Sequence, residues 1–250
     1  MKKGIRRKNN WNFSLCFVLT ILFCITIYSC ERDENVTTPI QNTSIIFNPD
    51  LTYGSVTDID GNVYKTISIG TQNWMAENLK VTHYRNGDPI PEVPDSTTWE
   101  TITSGAYSNF DNNPNIGAVY GKLYNWYTIN DSRNIAPMGW HVSTDLDWVQ
   151  LTLYLGGDSI AGDKLKEVGT NHWRIPNTGA NNESGFTAIS GGMRLSTFDN
   201  IDIYGGWWSY TGHTVTTYDK CRFLVYNDTM VGQLNYVKQF GHSVRCVKDK

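Results

Sequence analysis

The stretch APMGWHVSTDLDWVQL, residues 136 to 151, places His141, Ser143, Thr144, Asp145 and Asp147 within seven residues, between Trp140 and Trp148. In a single helix, His141 and Asp145 at i and i+4 would share a face and could ligate a metal. The flanking residues favour another reading. Pro137 and Gly139 precede the histidine, Trp140 to Ser143 is extended in character, and Thr144 with Asp147 three residues later resembles a capping box. Thr144 is then the helix N-cap, and Asp145 and Asp147 occupy the first turn, where the positive end of the helix dipole favours carboxylates. Trp148, Leu151 and Leu155 form the apolar stripe of that helix, and Gly156-Gly157 ends it. No serine lies in a G-x-S-x-G setting. His141 is left without an assigned role.

Outward from this segment, the N-terminus reads as a targeting signal. Lys2, Lys3, Arg6, Arg7 and Lys8 precede the apolar run Trp11 to Tyr28, which makes residues 1–29 a secretory signal, with an uncleaved anchor as the alternative. Ile27-Tyr28-Ser29-Cys30 resembles the lipobox of bacterial lipoproteins, which implies lipidation at Cys30. The following Glu31-Arg32-Asp33-Glu34 resembles the acidic signal that sends some Bacteroidetes-type lipoproteins to the cell surface. Together these predict an exported protein anchored by lipid to the outer membrane or cell surface. Residues 30–52, rich in Asn, Thr, Glu and Asp with Pro39 and Pro49, read as a flexible tether to one domain over 53–250.

The signal holds five of the 21 Lys and Arg and none of the 24 Asp and Glu, so the mature chain carries 16 against 24, a formal −8. Nucleic acid is therefore not an expected partner. Cys221 and Cys246 remain after Cys16, Cys24 and Cys30 are accounted for, and in an oxidising compartment they are a disulfide candidate. Two separately buried thiols are the alternative. The five histidines form no zinc pattern, and Asp163 between Gly162 and Lys164 spoils a P-loop likeness, so neither metal nor other cofactor is expected.

Tyr53 to Ile69 reads as two strands about an Asp60-Gly61 turn, with Val63, Ile67 and Ile69 on one face. A calcium loop through Asp58, Asp60 and Asn62 is the rival, but Gly61 falls at the fourth position of the pattern rather than the sixth. A helix is expected around Leu123 to Asn130 and another over 158–168, and Gly241 to Val247 alternates as a strand.

Seven ordered blocks carry a family resemblance: Asp58 to Gly70, Gln72 to Lys80, Tyr120 to Tyr127, Gly139 to Trp148, Asn181 to Phe186 with Gly191 to Arg194, Trp207 to Ser209, and Ser243 to Val247. Together they resemble the Fibrobacter succinogenes major paralogous domain, over about residues 54 to 249. Gly139 to Trp148 and the Arg245-Cys246-Val247 ending are also similar to the formylglycine-generating-enzyme branch of the C-type-lectin-like fold. The resemblance implies a loop-rich α+β domain with two short helices and irregular antiparallel strands.

Functionally it implies a non-enzymatic domain binding an extracellular polysaccharide or protein. The alternatives are an oxidase of the formylglycine-generating type, with copper on Cys221 and Cys246, and a structural envelope protein without a small ligand. Trp99, Trp173 and Trp207 are the candidate ligand-binding aromatics, and no catalytic residue is nominated. Glu92-Val-Pro-Asp95 and Tyr226-Asn-Asp228 approach the calcium-lectin motifs and match neither. Ser143 stands where the family has Pro, which should loosen the helix entry. Ser108 stands where it has Cys, so a family bridge to Cys246 would have to be remade with Cys221.

Overall fold

The computed structural model describes residues 44–212 and 217–250. The signal 1–29, Cys30 and the tether as far as residue 43 lie outside them.

Among the described residues the strands are β1 Gly54–Thr57, β2 Val63–Ile69, β3 Gln72–Met75, β4 Tyr107–Ser108, β5 Leu123–Tyr124, β6 Trp140–Val142, β7 Met193–Arg194, β8 Phe198–Asp199, β9 Tyr204–Trp208, β10 Tyr218–Val225, β11 Gly232–Val237 and β12 Cys246–Lys248. The helices are α1 Ser96–Thr101, α2 Pro114–Tyr120, α3 Trp126–Ile129, α4 Asp145–Tyr154 and α5 Asp158–Leu165. The class is α+β. Five α-helices stand where residue spacing suggested three and the family resemblance two; α1, α2 and α3 have four to seven residues each, too short to show a helical period, and of these only α3 falls in an expected helix. Each instead has a side-chain N-cap, from Asp95, Asn113 and Asn125 respectively.

The largest sheet runs β1-β2-β3-β12-β6, all antiparallel, so the last strand of the chain lies between the third and the sixth. Its alternation divides the core. Ile67, Trp74 and Val247, in register across three strands, bury on the side of Trp148, Leu151 and Leu155. Tyr64, Met75, Cys246, Val142 and Trp140 bury on the other, with Leu79, Tyr84, Tyr124 and Trp208. Both faces are thus covered, so β2 does not alternate simply: Tyr64, Thr66, Ile67 and Ile69 are buried, whereas Val63, expected on the face of Ile67 and Ile69, is 63% exposed. The Asp58 carboxylate accepts from the backbone of Asp60 and Asn62, from Asn62 Nδ2 and from the Tyr64 hydroxyl, so the chain's own donors close this turn. A second sheet, β11-β10-β9, is also antiparallel.

The segment expected to continue the tether to residue 52 belongs to the domain from Ile45 onward. Phe47, Leu51 and Tyr53 pack on the α4-side core, and the Ile46 amide donates to buried Glu167 at 2.5 Å. Apolar anchors spaced several residues apart in a polar stretch give no periodic signal, yet they suffice to dock it.

Candidate functional site

The helix start at residues 144 to 147 is a full capping box. The Thr144 hydroxyl accepts from the Asp147 amide at 3.1 Å, and the Asp147 carboxylate accepts from the Thr144 amide at 2.8 Å. Asp145 accepts from Arg222 and from Lys220 Nζ on β10, tying the helix to the second sheet. Ser143 does not loosen the entry: its amide donates to Arg245 O, which a proline could not do, and its hydroxyl accepts from the Trp148 indole at 3.0 Å.

His141 lies 3.1 Å from Asp147 by Nε2 and 2.7 Å from Asp249 by Nδ1. Only the imidazolium can donate to both, and the bond to Asp147 foremost raises its pKa above 6.5 against the effect of burial. Burial works to raise the Asp147 pKa, but the hydrogen bonds from His141 and Thr144 outweigh it and leave it lowered. The histidine's contribution is complete below pH 6.5 and fades as pH rises through the raised value; that of Asp147 is complete above its unfolded value and fades as pH falls through the lowered one. With His141 36% exposed, its share is below about 1 kcal/mol. NMR titration of the ring should give a midpoint above 6.5 that falls in Asp249→Asn; a midpoint at or below 6.5 in the unmutated protein would refute this pairing.

The three tryptophans expected at the surface are core residues instead. Trp99, Trp173 and Trp207 are 0%, 1% and 0% exposed. Trp207 packs against Trp148 and Phe186 and donates to Asn78 Oδ1 at 2.8 Å; Trp173 donates to Ala188 O; Trp99 lies under the Arg194 guanidinium, 4.3 Å from its ring. Indoles in irregular segments have no period to mark their inward side, so sequence could not distinguish platform from core.

The expected disulfide is likewise absent. Cys221 and Cys246 are free, buried thiols on β10 and β12, strands of different sheets. Burial pushes the Cys221 thiol up to about 12 and Cys246 up as well, the reverse of what a copper-binding thiolate pair needs.

The structure gathers a different set of residues at an open cleft of about 450 Å³. One wall is Pro89 and Pro91, carried by a hairpin closed by hydrogen bonds from the Tyr84 amide to Asp88 O and from the Ile90 amide to Thr82 O, each 2.8 Å. A second wall, Thr103 to Gly105, is pinned to the N-terminus of α3: Asn125 Nδ2 donates to Ser104 O, and Thr128 Oγ1 both accepts from the Ala106 amide and donates to its carbonyl. Gly105 permits this approach, since a Cβ there would lie 2.0 Å from the Tyr84 hydroxyl oxygen. The third wall comes from α3 and the turn after it, with Tyr127, Asn130, Asp131 and Arg133.

These side chains are held in place. Arg133 donates through Nε and Nη2 to Asp131 at 2.9 and 2.7 Å, reaches Asp88 at 3.1 Å, and stacks 3.9 Å over the Tyr84 ring. The bonds from Arg133 are the main cause holding the Asp131 carboxyl below its usual range, and burial foremost pushes Tyr84 up to about 12. Asn130 Oδ1 is buried and accepts no hydrogen bond within the protein. Thr103 and Ser104 add hydroxyls, and the half-buried Tyr127 adds an aromatic ring. Planar polar groups beside an aromatic ring make a binding surface. Asp131, ionised and tied to Arg133, is the only carboxylate lining the cleft and is poorly suited to proton transfer.

The sequence profile of the Fibrobacter succinogenes major domain matches residues 67–248. The chain belongs to this family. No curated protein and no solved structure matches it. The family span runs from Ile67 in β2 through β12, so it takes in all three walls of the cleft and every described strand except β1 and the start of β2. Of the cleft residues, only Tyr127 falls in the blocks that carried the resemblance. Asn130 was legible only as the end of an expected helix, and Asp131 to Arg133 carried no assigned role.

Proposed function

We propose that this Fibrobacter succinogenes major domain is exported, held on the outer membrane or cell surface by a lipid on Cys30, and binds a saccharide in the cleft beside Tyr127 without catalysing a reaction on it. The observation that carries the binding part is the convergence of the Tyr127 ring, the Thr103 and Ser104 residues and the rigid Asp131–Arg133 pair in one open cleft. Sugar hydroxyls pair with planar amide, carboxylate and guanidinium groups, and sugar C–H faces stack on an aromatic ring. A volume of about 450 Å³ suits one or two sugar rings. Five short helices and mostly short antiparallel strands are compatible with a C-type-lectin-like relationship. The membrane part rests on the apolar run Trp11 to Tyr28 and the lipobox ending at Cys30, since multiple acyl chains hold a protein on a bilayer where one does not.

A glycan array probed with the full-length protein in nanodiscs tests the binding part. Binding to at least one neutral polysaccharide is expected, weakened roughly tenfold by Tyr127→Ala through loss of the stacking surface. No binding to any glycan, or equal binding by Tyr127→Ala with its fold intact, would remove the saccharide reading.

A further inference from the structure

A second open cleft, of about 400 Å³, lies between the turn at Asp60 to Asn62, the stretch Lys80 to Thr82, and α2. Its charges are unlike those of the acidic chain around it. Lys80 and Lys122 both line it, and its one carboxylate, Asp60, is already engaged: it accepts from the Thr82 amide at 2.5 Å and the Thr82 hydroxyl at 2.8 Å, and its other oxygen lies 2.6 Å from His83 Nδ1.

Lys122 is the unusual member. Half-buried, it pairs with no carboxylate among the described residues; its one hydrogen bond goes to Asn109 Oδ1 at 2.6 Å. Asn109 is oriented for this by donating its Nδ2 to Glu92 at 2.7 Å. Gly117 lets α2 come this close, since a Cβ there would lie 1.9 Å from Asn109 Oδ1. Lys80 has Glu77 at 3.3 Å on one side and Lys122 near enough to repel it on the other. Glu92, behind the Asn109 amide, and Asp60 offset part of the Lys122 charge, but neither pairs with it directly, so two of its three N–H donors are left without a partner among the described residues and can take an incoming anion.

We propose that the cleft between Lys80 and Lys122 is a separate binding site for the oxyanion of an anionic saccharide. The two ammonium groups supply charge, while the second N–H of the Asn62 side-chain amide, whose first is held by Asp58, orients the group against the turn. A carboxylate, a sulfate ester and a phosphate ester all present this chemistry, and the arms of the test separate them.

Binding of glucuronate, glucose 6-sulfate, glucose 6-phosphate and glucose to the full-length protein in nanodiscs is measured by saturation-transfer NMR at low and at high salt. At least one anionic sugar should bind roughly tenfold more tightly than glucose at low salt, and the preference should shrink at high salt. It should disappear in the Lys80→Met Lys122→Met double variant and survive in Lys122→Arg, which keeps the charge. The anionic sugar showing the largest preference identifies the oxyanion. If Lys122→Met does not fold, Lys80→Met and the salt dependence decide. Equal binding of anionic and neutral sugars, or a preference that survives loss of both lysines, overturns the proposal. Because the readout is the difference between charged and neutral sugars, failure of the Tyr127 cleft lowers both and leaves the difference, so the two proposals fail separately.

Discussion

Arg245→Met should destabilise the domain by about 3 to 5 kcal/mol, enough to remove most of the stability of a domain this size. The guanidinium is wholly buried and has no carboxylate partner within salt-bridge distance among the described residues. Nε donates to Asn78 Oδ1 at 2.7 Å, Nη1 to Met75 O and Phe186 O at 2.9 and 2.8 Å, and Nη2 to Thr187 O at 3.0 Å, with the Phe186 ring 4.5 Å away. Burial lowers its pKa to about 9, so it stays charged at neutral pH. Methionine would fill much of the space but leave three buried carbonyls without these donors, each worth about 1 to 3 kcal/mol when orphaned. Arg245→Lys should recover little, because one ammonium cannot reproduce a planar fork reaching acceptors on several segments. Urea unfolding followed by tryptophan fluorescence is the measurement. A loss under about 1 kcal/mol for Arg245→Met would show that these carbonyls find other donors or water.

Trp207→Ala should cost a similar amount, about 3 to 5 kcal/mol, through the cavity it opens. The ring lies 5.8 Å from Trp148 and 6.2 Å from Phe186, within the cluster that also holds Trp74. Its indole shares Asn78 Oδ1 with Arg245, and Asn78 Nδ2 in turn donates to Tyr120 O and Ser243 Oγ. Trp207→Phe keeps most of the area and loses the N–H, so it should cost about 1 kcal/mol from the hydrogen bond plus a smaller packing loss. The double variant with Arg245→Met should be non-additive by at least about 0.5 kcal/mol, because both act on Asn78. A loss under about 1 kcal/mol for Trp207→Ala would overturn its place in the core.

Both variants remove contacts between segments far apart in the chain, which spacing along the sequence does not reveal. Thr144, Asp147 and the Gly156-Gly157 stop were legible because caps and stops act within four residues of backbone, where spacing alone fixes who can bond to whom. The apolar stripe of α4 was legible because its ten residues span nearly three turns. α1 and α2 were missed although Asp95 and Asn113-Pro114 are good start signals, since no apolar stripe follows to confirm them. The cleft was not legible either. Its lining runs from Pro89 to Arg133, and the position that permits its walls to meet, Gly105, reads in sequence as one more loop glycine.

By itself the sequence determined the helix start at Thr144, the hairpin at Asp60-Gly61 and, through ordered blocks, the family. Only the tertiary structure decided that Trp99, Trp173 and Trp207 face inward, that Cys221 and Cys246 lie on strands of separate sheets, that Lys122 has no direct ion-pair partner among the described residues, and that Tyr127 and Arg133 line one cleft with Pro89 and Pro91. The division follows from range. Capping and turn chemistry are settled by atoms a few residues apart, whereas burial, pairing and cleft formation depend on which distant segments the two sheets bring together.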